Sequence, residues 1–351
     1  MFLGIARYCQ YGHWIGADGE NLGGPSRPGG WPSSWSLEEL ERDLDFYSRF
    51  QPNGLTHLRW WLFCAGDGLI DAQTRGLRTT LGDATQEHLA VFLEQVRKRG
   101  FQLLPVLLAF PSDWKRCGIS SVWKTSQHPA ATDQMSRWLT EPCEREQLCD
   151  LMGQAARLLA AFRDSIYAVE LYNEPEGQID APLRMGGNGG SSWGVGGDQM
   201  MDFLTLLAAR IDEQWRAAAG QAPRLTVGSG WNDSLNCNRS LPAAAPAVER
   251  LRRLQRDLIS WHYYGKRLTL RSRPSARLLA PAAEISAGEN LEVILGEVGA
   301  RGFEDRSEGR GRFLRSVREM AEQRGYAGMF VWQDPCGFPV DAEMLVQVTS
   351  E

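Results

Sequence analysis

Two glutamates, Glu174 and Glu297, each close an apolar run of this chain, and each stands among residues suited to bond chemistry. The first run, residues 166–172, leads into Asn173, Glu174 and Pro175. The second, residues 291–296, leads into Glu297, Val298 and Gly299. A carboxyl placed where a buried strand leaves its sheet is held rigidly, partly desolvated and open to a ligand. Two such groups facing one another about 5–5.5 Å apart can share a retaining double displacement at a glycosidic carbon, one as acid/base and one as nucleophile. That requirement is spatial, so the elements carrying the two runs decide whether the pair can meet.

Apolar, β-rich runs alternate with helical patterns along the 351 residues, as in βα units wound around a parallel sheet. Strands are expected at 2–8, 55–63, 101–108, in the run before Glu174, at 224–228 and 258–264, in the run ending at Glu297, and at 326–332. Helices are expected at 37–50, 86–99, 144–162, 199–219, 247–256, 308–324 and 341–348, with a weak one between the sixth and seventh strands. Ser36 before the first helix, with Glu39 three residues on, has the spacing of a capping box. The third strand is nearly all apolar, as expected when both faces are buried. Eight such strands make a closed (β/α)8 TIM barrel more economical than an open sheet, and a barrel of this kind typically needs about 250 residues and can grow beyond about 400 through loop insertions as one domain. The expectation is therefore a single domain over residues 1–351, with thin closure beneath the eighth strand because the last helix is short.

Composition narrows the classes. With 43% hydrophobic and 23% charged residues, the chain has apolar material for a large core. A net charge of −5 implies no general attraction to nucleic acid or anionic membrane, and the basic stretches around Arg252 and at 267–277 read as solvated faces. No run approaches the ~18 apolar residues of a membrane span. Residues 1–10 read as a strand without the layout of a secretory signal, which fits a cytoplasmic protein or one whose leader has been removed. The seven cysteines resemble no zinc or disulfide framework, and Cys143 and Cys149 are expected to straddle a helix start. Five scattered histidines without a His-x-His start argue against a metal-dependent barrel hydrolase. Asp67 and Asp71 lack the ligand spacing of a calcium loop. No metal, redox or nucleotide cofactor is implied.

Other residues fall into step with the strands. Leu58-Arg59-Trp60-Trp61 puts an arginine on the second, and Leu171-Tyr172-Asn173-Glu174-Pro175 closes the fourth. Trp261-His262-Tyr263-Tyr264 lies on the sixth, Leu295-Gly296-Glu297-Val298-Gly299 closes the seventh, and Val331-Trp332-Gln333 the eighth. This ordered set resembles the clan A glycoside hydrolases and, within them, family five, which includes cellulases and mannanases. The resemblance covers the chain from the second strand to the eighth. It implies a retaining β-glycosidase acting on a β-linked hexose polymer or oligosaccharide, of mannan or glucan type.

By that resemblance Glu174 is the acid/base and Glu297 the nucleophile. Arg59 is the cation and Tyr264 the hydroxyl donor that keep Glu297 ionised, and Asn173 bonds the sugar 2-hydroxyl. His262 steadies Glu174 or a substrate hydroxyl, and Trp332 floors the subsite of the cleaved sugar. Glu170 and Glu292 lie deeper in their runs and have weaker claims. Cellulase-like members usually carry a histidine near the end of the third strand, whereas residues 105–114 here have none, a texture closer to mannanases.

Thirteen tryptophans is a high count, and several, Trp193 and Trp231 among them, fall in expected loops after strands, where flat rings suit the C–H faces of pyranoses. Trp193 sits in a stretch with seven glycines, residues 186–197, which reads either as a flap over bound sugar or as a plain surface loop. Two other readings stay open. One is an exo-acting glycosidase or transglycosylase on small glycosides; the other is a carbohydrate-binding barrel without catalysis, disfavoured because both glutamates are present.

Overall fold

The computed structural model describes residues 1–7, 35–64, 68–69, 71, 74, 76–109, 132–175, 195–229, 254–255, 257–266, 291–301, 307–333 and 340–349. Its strands are β1 (Phe2–Arg7), β2 (Leu55–Cys64), β3 (Gln102–Ala109), β4 (Val169–Asn173), β5 (Leu225–Ser229), β6 (Leu258–Lys266), β7 (Glu292–Arg301) and β8 (Gly328–Gln333). They pair in parallel in chain order, and β8 closes on β1. The expected (β/α)8 barrel is the fold of this chain.

Among the described residues the helices are α1 (Leu37–Ser48), α2 (Asp83–Lys98), α3 (Thr132–Thr140), α4 (Pro142–Ala160), α5 (Gly197–Ala219), α6 (Ser307–Gln323) and α7 (Ala342–Thr349). Ser36 caps α1 as expected, its Oγ accepting from the Glu39 N–H at 3.3 Å, and Glu38 and Glu39 place negative charge at the positive end of the helix dipole. α2 starts three residues before its expected position, and α3 was not anticipated. Cys143 and Cys149 both lie inside α4 rather than astride its start. The short α7 buries Met344, Leu345 and Val348, and α6 ties down its last carbonyls: Arg315 Nε donates to Gln347 O at 2.5 Å and Arg318 Nη1 to Val348 O at 2.8 Å. The expected helices at 247–256 and between β6 and β7 lie largely or wholly outside the described residues.

Strand side chains alternate between two compartments. Leu3, Ile5, Leu58, Trp60, Ile259, Trp261, Val293, Leu295, Met329 and Val331 face outward into the large core beneath the helices. Ala6, Leu104, Ala168, Leu258, Ile294 and Phe330 form a second, small cluster that fills the barrel. Above this apolar floor the inward positions turn polar, with Arg59, Glu170, Ser260, His262 and Glu297 all buried.

Two irregularities interrupt the alternation where it matters. Along β7, Leu295 pairs with Trp261 of β6 but Glu297, not Gly296, pairs with His262; against β8 the register also slips between Leu295 and Val298. One extra residue on β7 lets Leu295 and Val298 both face the outer core, so Ile294 and Glu297 both face inward. Along β4 the register against β5 slips between Glu170 and Asn173, which brings these two, three apart in sequence, to the same inner face.

Candidate active site

Glu174 leaves the end of β4 with φ at 49°, the left-handed region that side chains with a Cβ rarely occupy. Its N–H still bonds Gly228 O of β5 at 2.9 Å, so the turn happens against an anchored backbone. The side chain is 28% exposed, whereas that of Glu297 is 2% exposed, and the two carboxylates therefore sit in unequal surroundings. Glu297 does not end its strand, as the apolar run suggested; β7 continues to Arg301, and the bulge turns Glu297 into the barrel.

Arg59 organises the floor of the site. Nε donates to Glu170 Oε2 at 2.8 Å and Nη2 to Glu170 Oε1 at 2.5 Å, a fork-to-fork pair; Nη1 donates to Glu297 Oε1 at 2.5 Å and Nη2 also to Asn173 Oδ1 at 2.7 Å. Burial by itself would lower the Arg59 pKa, but the charges of Glu170 and Glu297 outweigh it and hold the guanidinium protonated, above its ordinary value. Arg59 is fully buried, and the oxygens it bonds are those of Glu170, Glu297 and Asn173.

His262 of β6 joins the two halves. Nδ1 lies 2.7 Å from Glu174 Oε1 and 3.6 Å from Glu297 Oε2, and Nε2 lies 3.4 Å from Arg59 Nη2. Nδ1 faces two carboxylates, which only accept, so it is the ring nitrogen that carries a proton, donated to Glu174. Glycines make room for this packing. A Cβ at Gly228 would meet Glu170 Oε1 at 2.3 Å and His262 Nε2 at 2.9 Å, and one at Gly296 would meet Ser260 Oγ at 2.2 Å.

One ligand atom each from Glu174, His262 and Glu297 lies within 4.8 Å of the others. A metal ion would accept that spacing, but Arg59 on Glu297 already supplies the positive charge such an ion would bring. Of the other expected site residues, Trp332 lies at the end of β8, tilted against Trp61 with ring centroids 5.2 Å apart, and packs onto the barrel's inner cluster. Tyr264 lies on β6 beside Gly299. Trp193 and Trp231, the rest of the glycine-rich stretch before Val195 and the basic stretches lie outside the described residues. Asp71, weighed as a calcium ligand, instead accepts from Thr74 N–H at 2.7 Å, an ordinary turn contact.

Glu170 is the residue that reading by depth in the run undervalued. Its signal was present: an acidic residue in an otherwise apolar buried strand needs a partner, and Arg59 is the cation in reach.

No protein-family model matches the chain, and no curated protein matches it. Solved structures share its fold. A β-mannanase from the blue mussel Mytilus edulis aligns with TM-score 0.64 at 16% identity, covering 99% of this chain and 90% of that one. A β-1,4-D-mannanase from Cryptopygus antarcticus aligns with TM-score 0.63 at 14% identity, covering 99% and 89%. An endo-1,4-β-mannanase from Rhizomucor miehei aligns with TM-score 0.61 at 15% identity, covering 99% and 92%. The chain thus has the (β/α)8 barrel seen in these sugar-cleaving enzymes.

Proposed function

We propose that this protein is a retaining β-glycoside hydrolase acting on β-linked hexose polymers or oligosaccharides, β-mannan first and β-glucan second. We propose too that its 351 residues form one catalytic domain. The observation that carries the reading is the convergence of Glu174 and Glu297. One carboxylate oxygen of each lies within 4.8 Å of the other, which supports the short separation of retaining enzymes, about 5–5.5 Å, over the ~6.5–9.5 Å that inverting enzymes leave for a water. Neighbours described as mannanases support the choice of polymer.

Glu297, kept ionised by Arg59, attacks the anomeric carbon. Glu174 delivers a proton to the departing sugar oxygen. Its Oε1 accepts from His262, so Oε2 is the atom that carries that proton. Water then attacks the glycosyl ester while Glu174 takes a proton back. Asn173, tethered by Arg59, and Trp332, at the rim, are the described candidates for sugar contact, with Tyr264, Trp193 and Trp231 as further candidates on sequence grounds.

The test is Glu297→Gly assayed on aryl β-mannosides and β-glucosides. Turnover should fall by roughly 10⁴-fold or more, and azide should restore it as a product of inverted anomeric configuration. A Glu297→Gly protein with wild-type turnover would remove the nucleophile from this scheme.

A further inference from the structure

Glu170 has no place in the double displacement, yet it is as deeply buried as any residue of the site and takes two of the hydrogen bonds of Arg59. A buried guanidinium needs one carboxylate for charge balance, and Arg59 has two. The excess has a use once Glu297 reacts. In the first half-reaction the C1–oxygen bond to the leaving group breaks, its electron pair going to that oxygen, which takes the proton of Glu174. Glu297 Oε forms the new bond to C1. Glu297 is then a neutral ester and Glu174 a carboxylate, and Arg59 has lost its charged partner at Nη1.

Resting on the proposed function, we infer that Glu170 is the standing counter-ion of Arg59. It keeps the guanidinium paired through the covalent intermediate and, at rest, shares its charge so that Glu297 is ionised without being over-stabilised. Geometry supports this division. The fork on Nε and Nη2 fixes the plane of the guanidinium and aims Nη1 at Glu297, and Gly228 leaves the space in which Glu170 sits. Ser260 Oγ, 3.5 Å from Glu170 Oε2, is the neutral neighbour from β6. Among the described residues the charged and titratable groups meeting here are Arg59 from β2, Glu170 and Glu174 from β4, His262 from β6 and Glu297 from β7. Glu170 is thus a positioning and charge-balancing residue, acting on the nucleophile through Arg59.

The experiment compares the wild type with Glu170→Gln and Glu170→Asp on one aryl β-glycoside across pH. Glu170→Gln keeps the shape and loses the charge. Its kcat should fall about 10- to 100-fold, and the acid limb of kcat/KM should move down by roughly one to two pH units, because Glu297 no longer faces a second carboxylate. Glu170→Asp keeps the charge and loses the fork, so kcat should fall while the acid limb stays at its wild-type position. Lowered kcat with unshifted limbs in Glu170→Gln, or equal shifts in both variants, would reduce Glu170 to packing. Should Glu170→Gln fail to fold, Glu170→Ser, which also removes the charge, takes its place: an acid limb moved down supports the counter-ion role, and an unmoved limb overturns it. A wild type that turns over no β-glycoside would overturn the proposed function and this inference together. An active wild type with a silent Glu170→Gln overturns the inference alone.

Discussion

Glu174 holds a backbone conformation that a residue with a Cβ adopts at a cost of order 1–3 kcal/mol, and β5 holds it there through Gly228. The left-handed turn lifts the carboxyl off the strand direction and toward His262, so strain and positioning are one feature. Comparing Glu174→Ala with Glu174→Gly isolates it, since both variants lose the side chain and differ in the Cβ that φ of 49° disfavours. The glycine variant should be the more stable by about 1 kcal/mol, or roughly 2 °C in Tm, the reverse of the usual order within regular structure. Thermal melts in which Glu174→Ala equals or exceeds Glu174→Gly would show that the backbone is relaxed without help.

At the scale of elements, the bulge of β7 sets which way Glu297 faces, and Gly296 is the residue that permits it. A Cβ at Gly296 would press Ser260 Oγ and stand 3.1 Å from His262 Cδ2. Gly296→Ala should therefore displace His262 and lower kcat/KM about 10- to 100-fold, the scale of an ångström's misplacement. Removing the hydroxyl in Ser260→Ala opens the space, so the double variant should recover about tenfold of the loss. Losses that simply add in the double-mutant cycle would place the clash elsewhere. These bulges also mark the limit of what the sequence revealed. The eight apolar runs showed the barrel, and Asn173-Glu174-Pro175 showed where β4 ends, because burial and turn chemistry leave local traces. An extra residue in a strand leaves none: it is defined by pairing with neighbours distant in sequence. Alternation counted along β7 would have turned Glu297 away from the site, and depth in the run set Glu170 aside although the barrel's upper inner positions are polar. The segments holding Trp193 and Trp231 remain sequence expectations.

Across the whole molecule, the barrel's two ends are built from opposite kinds of polar contact. The upper end gathers the carboxylates of the candidate site; the lower end closes on itself. There the ring of Phe2 stacks on His57 with centroids 3.6 Å apart, Tyr167 meets His57 edge-on at 5.1 Å, and the Tyr167 hydroxyl donates to Glu292. Arg224 bonds Glu292 at 2.6 Å and lies over the Tyr167 ring, which ties β1, β2 and β7 to the residues just before β4 and β5. Burial lowers the His57 pKa to about 4 from an ordinary 6.5, favouring the neutral ring. The unfolded chain then binds a proton first as pH falls, so stability from neutral His57 is full above about pH 6.5 and is lost progressively down to about pH 4. At pH 5 the loss should amount to about 2 kcal/mol relative to pH 7. His57→Phe keeps a ring against Phe2 and has nothing to titrate. Urea unfolding at pH 7 and pH 5 should therefore show the wild type losing about 2 kcal/mol more than His57→Phe over that interval. Equal losses in the two proteins would mean that His57 is protonated in the folded barrel as readily as in water, and that the lower end is open rather than sealed.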